Sequence, residues 1–279
     1  MFKRVTIIGL GLIGGSLGLA IKDRRIAREV IGVSRRRSTI RRALSLGIVD
    51  SATLDIKKGV QSSDFVILAA PVLKIIDIAK LASGSLKKGA ILIDAGSTKR
   101  SIVKEIEKAL PSTVDFVGAH PLAGSECSGL SYADKDLFKG AYCILTKTKL
   151  TDPKVLRKVT RFWNKIGMRV VKMSPEKHDG IVSALSHLPH AVSVALSNAC
   201  GKKDLHLAAG GFKDTTRIAS SSPELWKDIF ITNKKNIAGD IRLLKKELVK
   251  IETALKENDT LELLRLFRKA KAIRDSVRP

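Results

Sequence analysis

The chain has 279 residues, 44% of them hydrophobic and 4% aromatic, and 51 basic against 27 acidic side chains give it a net charge of +24. That length suits two domains or one large one with a substantial core. The charge favours anionic partners, but the basic residues are scattered and the few aromatic side chains offer few stacking platforms, which argues against specific nucleic-acid binding. Cys127, Cys143 and Cys200 form no CxxC pair. They argue against a disulfide framework or zinc knuckle and for a reduced, cytoplasmic protein. Lys3 and Arg4 precede an uncharged run, Val5 to Ile21, that imitates a signal peptide or membrane helix. The run is shorter than the roughly 20 residues a bilayer requires, and its glycines have a better explanation, so no membrane partner is expected.

Arg4 to Ile8 is predicted as a strand, followed by a glycine-rich turn and a helix through Asp23. Val30 to Val33 is a second strand, and Arg41 to Leu46 a helix with Gly47 at its C-terminal cap. Asp64 to Ala70 is a continuous apolar strand stopped by Pro71. Ala90 to Asp94 is another, leading into Ala95-Gly96-Ser97-Thr98-Lys99. Val114 to Val117 continues to His120, where Pro121 stops the strand and biases the histidine toward extended backbone. Tyr142 to Thr146 and Met168 to Lys172 are further strands, with a helix from Pro153 to Gly167 between them. Continuous β-branched runs separated by helices indicate parallel strands buried on both faces. The predicted fold is therefore α/β, a doubly wound Rossmann sheet whose ligands bind beyond the carboxyl ends of the strands.

From Ser174-Pro175-Glu176 onward the pattern is helical, with Ser as N-cap and Pro at the first helical position. Ser222-Pro223-Glu224 starts another helix in the same way. Ile241, Leu244, Leu248, Ile251 and Leu255 form an apolar stripe, and Asp259 with Glu262 resembles a capping box ahead of a last helix. The expected domains are 1–173, binding a dinucleotide, and 174–279, all-α. The apolar stripes favour a homodimer through the helical part.

Gly9-x-Gly11-x-x-Gly14 follows a strand and opens a helix. There the first glycine makes the turn, the second lets the backbone approach a pyrophosphate, and the third lets helix and strand pack. Gly9, Gly11, Leu12, Ile13 and Gly14 are the expected phosphate cradle, with the helix N-terminus supplying N–H donors. The acidic residue that would bond a ribose 2′-hydroxyl is absent. Ser34-Arg35-Arg36-Arg37 stands in its place and suits a 2′-phosphate, so NADP is favoured over NAD. Ala70, Pro71 and Ser97, at neighbouring strand ends, complete the expected cofactor site.

Five motifs occur in order: the Gly9 to Ser16 turn, Asp94-Ala95-Gly96-Ser97-Thr98-Lys99, Gly118-Ala119-His120-Pro121-Leu122-Ala123-Gly124-Ser125-Glu126, Ser186-His187-Leu188-Pro189-His190 and Phe212-Lys213-Asp214-Thr215-Thr216-Arg217-Ile218-Ala219. Together, over nearly the whole chain, they resemble the prephenate/arogenate dehydrogenase family of tyrosine biosynthesis. The resemblance implies a Rossmann domain followed by a helical dimerisation domain. It also implies NAD(P)-dependent oxidative decarboxylation of a cyclohexadienol, prephenate or arogenate. By the same resemblance His120 is the catalytic histidine, and Ser97 lies near the substrate hydroxyl and nicotinamide.

The substrate carries carboxylates, and Arg217 matches the substrate-binding arginine, with bidentate pairing as the physical reason for arginine. His190 matches a substrate-contacting position more strongly than His187, and the spacing of the two places both on one helix face. That spacing also suits a metal, but no third ligand of convincing spacing accompanies it, so no metal is expected. Ser125, where the family often has threonine, and Glu126 lie in the loop after His120 and are further substrate-binding candidates. His178 and His206 have no role in this reading. Two alternatives stay open: another Rossmann plus helical-domain dehydrogenase acting on a hydroxy acid, which would depend on a lysine, and a non-catalytic dinucleotide-sensing or nucleic-acid-binding protein.

Overall fold

Side chains alternate strictly across the central strands. Val5 and Ile7, Phe65 and Ile67, and Ile91 and Ile93 face one buried cluster; Ile8, Val66, Leu68 and Leu92 face the other. Alternation with apolar residues on both faces is what a sheet sandwiched between helices requires. The computed structural model describes residues 1–124 and 129–277. Two compact units emerge, Met1–Asn233 and Lys234–Pro279.

The first unit opens with β1 (Phe2–Ile8), α1 (Leu12–Asp23), β2 (Ala27–Val33), α2 (Arg37–Ser45), β3 (Ser51–Thr53), α3 (Ile56–Val60), β4 (Phe65–Leu68) and α4 (Val72–Ala82). It continues with β5 (Ile91–Asp94), α5 (Arg100–Ala109), β6 (Asp115–Pro121), β7 (Tyr142–Thr146), α6 (Pro153–Ile166) and β8 (Arg169–Met173). The helices α7 (Pro175–Val182), α8 (Leu188–Cys200), α9 (Gly210–Thr216) and α10 (Pro223–Thr232) close it. The Val5 to Ile21 run is thus a central strand and a packed helix. One sheet of eight strands has the order β3-β2-β1-β4-β5-β6-β7-β8.

Two strand expectations need correction. β6 does not stop before Pro121 but includes it, paired with Cys143, and the next N–H, of Leu122, donates to the Tyr142 carbonyl at 2.7 Å. The missing proline N–H therefore falls at the last rung, where it interrupts nothing. The sheet is also not wholly parallel. β7 runs antiparallel to β6, and β8 parallel to β7. A parallel pair needs a crossover helix, which α6 supplies between β7 and β8.

Capping follows the sequence closely. The Asp152 and Ser174 side chains accept the N–H groups that open α6 and α7, and Gly167 closes α6 with φ +98°. Between α7 and α8 lies a π-helical turn, Ser183–His187, closed by the Leu188 N–H on the Ser183 carbonyl. Pro189 has no N–H for the Leu185 carbonyl, so the α-helical ladder cannot continue there and the turn widens. The run Pro175–Cys200 is long and apolar enough to cross a membrane by length and composition, with a mean hydropathy of 1.2. Within the first unit, however, its His178, Asp179, His187 and His190 are buried.

The second unit consists of α11 (Lys234–Lys256) and α12 (Thr260–Asp275), joined by a turn in which Asp259 accepts the Glu262 N–H. Leu248, Leu255, Leu261, Phe267 and Ile273 are exposed along it.

Candidate active site

The ends of β1, β4, β5 and β6 converge on one edge of the sheet, as doubly wound topology dictates. Gly9 follows β1 at φ +99°, and a Cβ there would stand 2.2 Å from the Ala69 carbonyl oxygen. A Cβ on Gly14 would stand 1.9 Å from the Gly9 carbonyl oxygen. Neither position tolerates a side chain. By contrast, a Cβ on Gly11 would meet nothing within 4 Å, and Gly11 caps α1 with no side-chain hydrogen bond. The first N–H groups of α1 therefore face open space beside a bare backbone, a cradle that fits a pyrophosphate. Leu12 and Ile13 form its first helical residues. Ile8 pairs with Val33, so Ser34, Arg35 and Arg36 emerge one strand away, both arginines exposed. The Arg36 N–H donates to Ser34 Oγ at 3.4 Å. Ala70 and Pro71 follow β4 on the other side, with Pro71 capping α4.

Beyond the ends of β5 and β6, on the same edge of the sheet, is a cavity of about 650 Å³. Ser97 and His120 line it from the sheet, His187 from the turn between α7 and α8, Pro189 from the start of α8, Arg217 from the end of α9, and Trp226 and Ile229 from α10. Ser97, His120, His187 and Arg217 are thus brought together by four separate segments. His190 is not among the lining residues. It is buried, its ring stacked on Trp226 at a centroid distance of 3.5 Å and an interplanar angle of 7°. His187 also meets Trp226, edge-on at 6.0 Å, and its Nδ1 lies 3.2 Å from Asn233 Nδ2. Both histidines share one helix face, as their spacing requires. His187 lines the cavity, and His190 stacks on Trp226, which also lines it. Asp214 is exposed on α9. Ser125 and Glu126 lie outside the described residues.

His120 does not stand alone. Its Nδ1 is 2.9 Å from His178 Nε2, and His178 Nδ1 is 2.8 Å from Asp179 Oδ1. Asp179 also accepts the Lys99 N–H at 2.7 Å and the Arg100 N–H at 3.0 Å, at the start of α5. His178 and Asp179 are thus site residues with no place in the sequence reading. Burial pushes the His120 imidazole well below the ordinary histidine range, and His178, Lys99 and His187 push the same way. Burial also lowers His178, although Asp179 opposes it. Burial works to raise Asp179, but the hydrogen bonds from His178 and the two N–H groups prevail and hold it below the ordinary carboxylate range.

Beneath His120 runs a buried ion pair between Lys99 and Asp94. Asp94 also accepts the Ala119 N–H at 3.1 Å and the Gly96 N–H at 2.9 Å. It thus ties the end of β5 to the β6 backbone one residue before His120. No lysine is among the described residues lining the cavity, and Lys99 is fully buried. A lysine-dependent hydroxy-acid mechanism therefore has no ammonium at the reacting centre.

Residues 17–172 match the family model described as prephenate dehydrogenase, nucleotide-binding domain, and residues 174–269 match its dimerization domain. The chain belongs to the prephenate dehydrogenase family. It is 37% identical to prephenate dehydrogenase of Bacillus subtilis over 284 residues, covering 99% of this chain and 76% of that protein. The crystal structure of prephenate dehydrogenase from Aquifex aeolicus in complex with hydroxyphenyl propionate and NAD+ superimposes with a TM-score of 0.91 at 36% identity, over 100% of this chain and 99% of that one. Synechocystis arogenate dehydrogenase superimposes with a TM-score of 0.83 at 31% identity, over 98% and 99% of the two chains.

Proposed function

We propose that the chain catalyses the NAD(P)-dependent oxidative decarboxylation of prephenate or arogenate in tyrosine biosynthesis. The observation that carries this reading is one cavity, on the sheet edge that also bears the glycine-rich turn, lined at once by a histidine, a serine and an arginine. When bound, the nicotinamide accepts the hydride released from the ring carbon that bears the hydroxyl. His120 takes the hydroxyl proton as that carbon becomes a carbonyl. Carbon dioxide then leaves from the opposite ring position, and the electron pair of the broken C–C bond makes the ring aromatic. The proton held on His120 returns to the phenolate oxygen, so the histidine ends neutral. Aromatisation supplies the driving force, and the protein's task is positioning and proton handling.

Ser97 supports this by orienting the hydroxyl. Arg217 pairs with a substrate carboxylate, and His187 contacts the substrate from the other wall. Ser125 and Glu126 are retained as loop contacts, and His190 as the support behind Trp226. Gly9, Gly11, Leu12, Ile13 and Gly14 hold the pyrophosphate, with Ala70, Pro71 and Ser97 toward the nicotinamide. Exposed Arg35 and Arg36 beside Ser34 favour a 2′-phosphate and hence NADP over NAD. The functional division falls at Ser174, with residues 1–173 serving the cofactor and residues 174–279 the substrate and a homodimer.

Initial rates with each pairing of prephenate or arogenate and NAD+ or NADP+ test the proposal. Reduction of cofactor with at least one substrate is expected, faster at low NADP+ than at low NAD+. The double variant Arg35→Ala, Arg36→Ala is expected to lose that preference. Turnover of neither substrate refutes the activity, and an unchanged cofactor ratio in the double variant refutes the arginine assignment.

A further inference from the structure

The reacting histidine is useful as a base only if the nitrogen facing the substrate carries no proton. We infer that His178 and Asp179 are positioning residues that hold the His120 proton on Nδ1 and leave Nε2 bare toward the cavity.

The argument runs outward from Asp179. Its carboxylate receives the Lys99 N–H at 2.7 Å and the Arg100 N–H at 3.0 Å, on separate oxygens. Both come from the start of α5, where the helix end favours negative charge. An ionised carboxylate only accepts hydrogen bonds. His178 Nδ1, 2.8 Å from Asp179 Oδ1, must therefore carry a proton and donate. A neutral imidazole has one donor and one acceptor nitrogen, so His178 Nε2 then holds a lone pair. That lone pair faces His120 Nδ1 at 2.9 Å, and the contact is a hydrogen bond only if His120 donates from Nδ1. Neutral His120 is then left with a lone pair on Nε2. The opposite tautomer of His120 would set two lone pairs against each other in a buried place.

A doubly protonated His178 would reverse the direction and spoil the base. His178 is fully buried, and burial disfavours its charged form. The groups that face the two rings are Asp179 on α7, Lys99 and Asp94 from the β5 end and His187 from the π-helical turn, while Cys143 on β7 meets the His120 backbone. Lys99 lies near both imidazoles and works against a positive charge on either. The device also joins distant chain segments, because Asp179 reaches the start of α5 across 80 residues of sequence.

Two readouts test this, and only the second rests on the proposed reaction. The chain has five histidines, few enough to assign by nitrogen-15 NMR of the whole protein labelled at histidine. At neutral pH, His120 and His178 are both expected as Nδ1–H tautomers. His120 found with its proton on Nε2, or His178 found doubly protonated, overturns the inference whether or not the protein turns over prephenate. The kinetic readout compares His178→Leu with His178→Gln, since a glutamine carboxamide oxygen can replace Nε2 as acceptor. His178→Leu is expected to lose roughly tenfold or more in kcat, by analogy with removal of an orienting partner, with substrate KM changed by less than about threefold. His178→Gln is expected to recover most of that loss. Equal losses in both variants, or normal kcat in His178→Leu, overturn the positioning role.

Discussion

In the proposed reaction His120 acts in its neutral form, and its surroundings decide the pH range over which that form persists. Below its pKa the ring is protonated and cannot accept the hydroxyl proton. Burial, His178, Lys99 and His187 all lower that pKa from the ordinary 6.5. The neutral base therefore survives into mildly acidic solution, and the acid limb of kcat/KM is expected below pH 6.5. A pH profile of kcat/KM measures this directly, and an acid limb above the ordinary value contradicts it. His120 and Ser97 were legible as candidates because each stands in a motif at a strand end that a doubly wound sheet aims at its ligand, and Arg217 because it stands in a motif of its own in the helical part. His178, Asp179 and Lys99 were not. Their contacts cross 58 to 80 residues of sequence and exist only once α7 docks on the start of α5. An isolated histidine followed by an aspartate carries no signal of that docking.

The elements themselves were largely readable from capping chemistry and apolar runs. Ser174, Ser222 and Asp259 cap helices as their positions predict, each with a side-chain hydrogen bond. A Ser to Ala change at such a cap removes about 1 kcal/mol of stability. Less legible was the antiparallel turn of β7, because a strand's apolar run carries no direction. The π-helical turn also escaped, although Pro189 announced some interruption. It matters because it sets His187, not His190, against the cavity. The hairpin of α11 and α12 carries one more consequence. Leu248 and Leu255 of the apolar stripe are 55% and 59% exposed. A stripe of that kind on a helix needs a partner surface, and a second copy of the chain would supply one by symmetry. Sedimentation velocity is expected to give a dimer, with Leu248→Lys, Leu255→Lys shifting it toward monomer. A monomeric wild-type protein contradicts this role for the hairpin.

At the scale of the molecule, charge and architecture serve the same chemistry. A net charge of +24 favours anionic ligands, in keeping with a carboxylate-bearing substrate and a dinucleotide. The sheet gathers His120 and the glycine-rich turn on one edge, and the helices after Ser174 add Arg217, His187 and the buried His178–Asp179 pair. The central claim is that His120 handles the proton while other residues hold the ligands. It is tested by comparing wild type with His120→Ala for turnover of prephenate and arogenate, with cofactor affinity measured separately by titration. The account predicts a kcat lower by roughly a hundredfold or more in the variant, with cofactor binding essentially unchanged. Turnover close to that of wild type would contradict it.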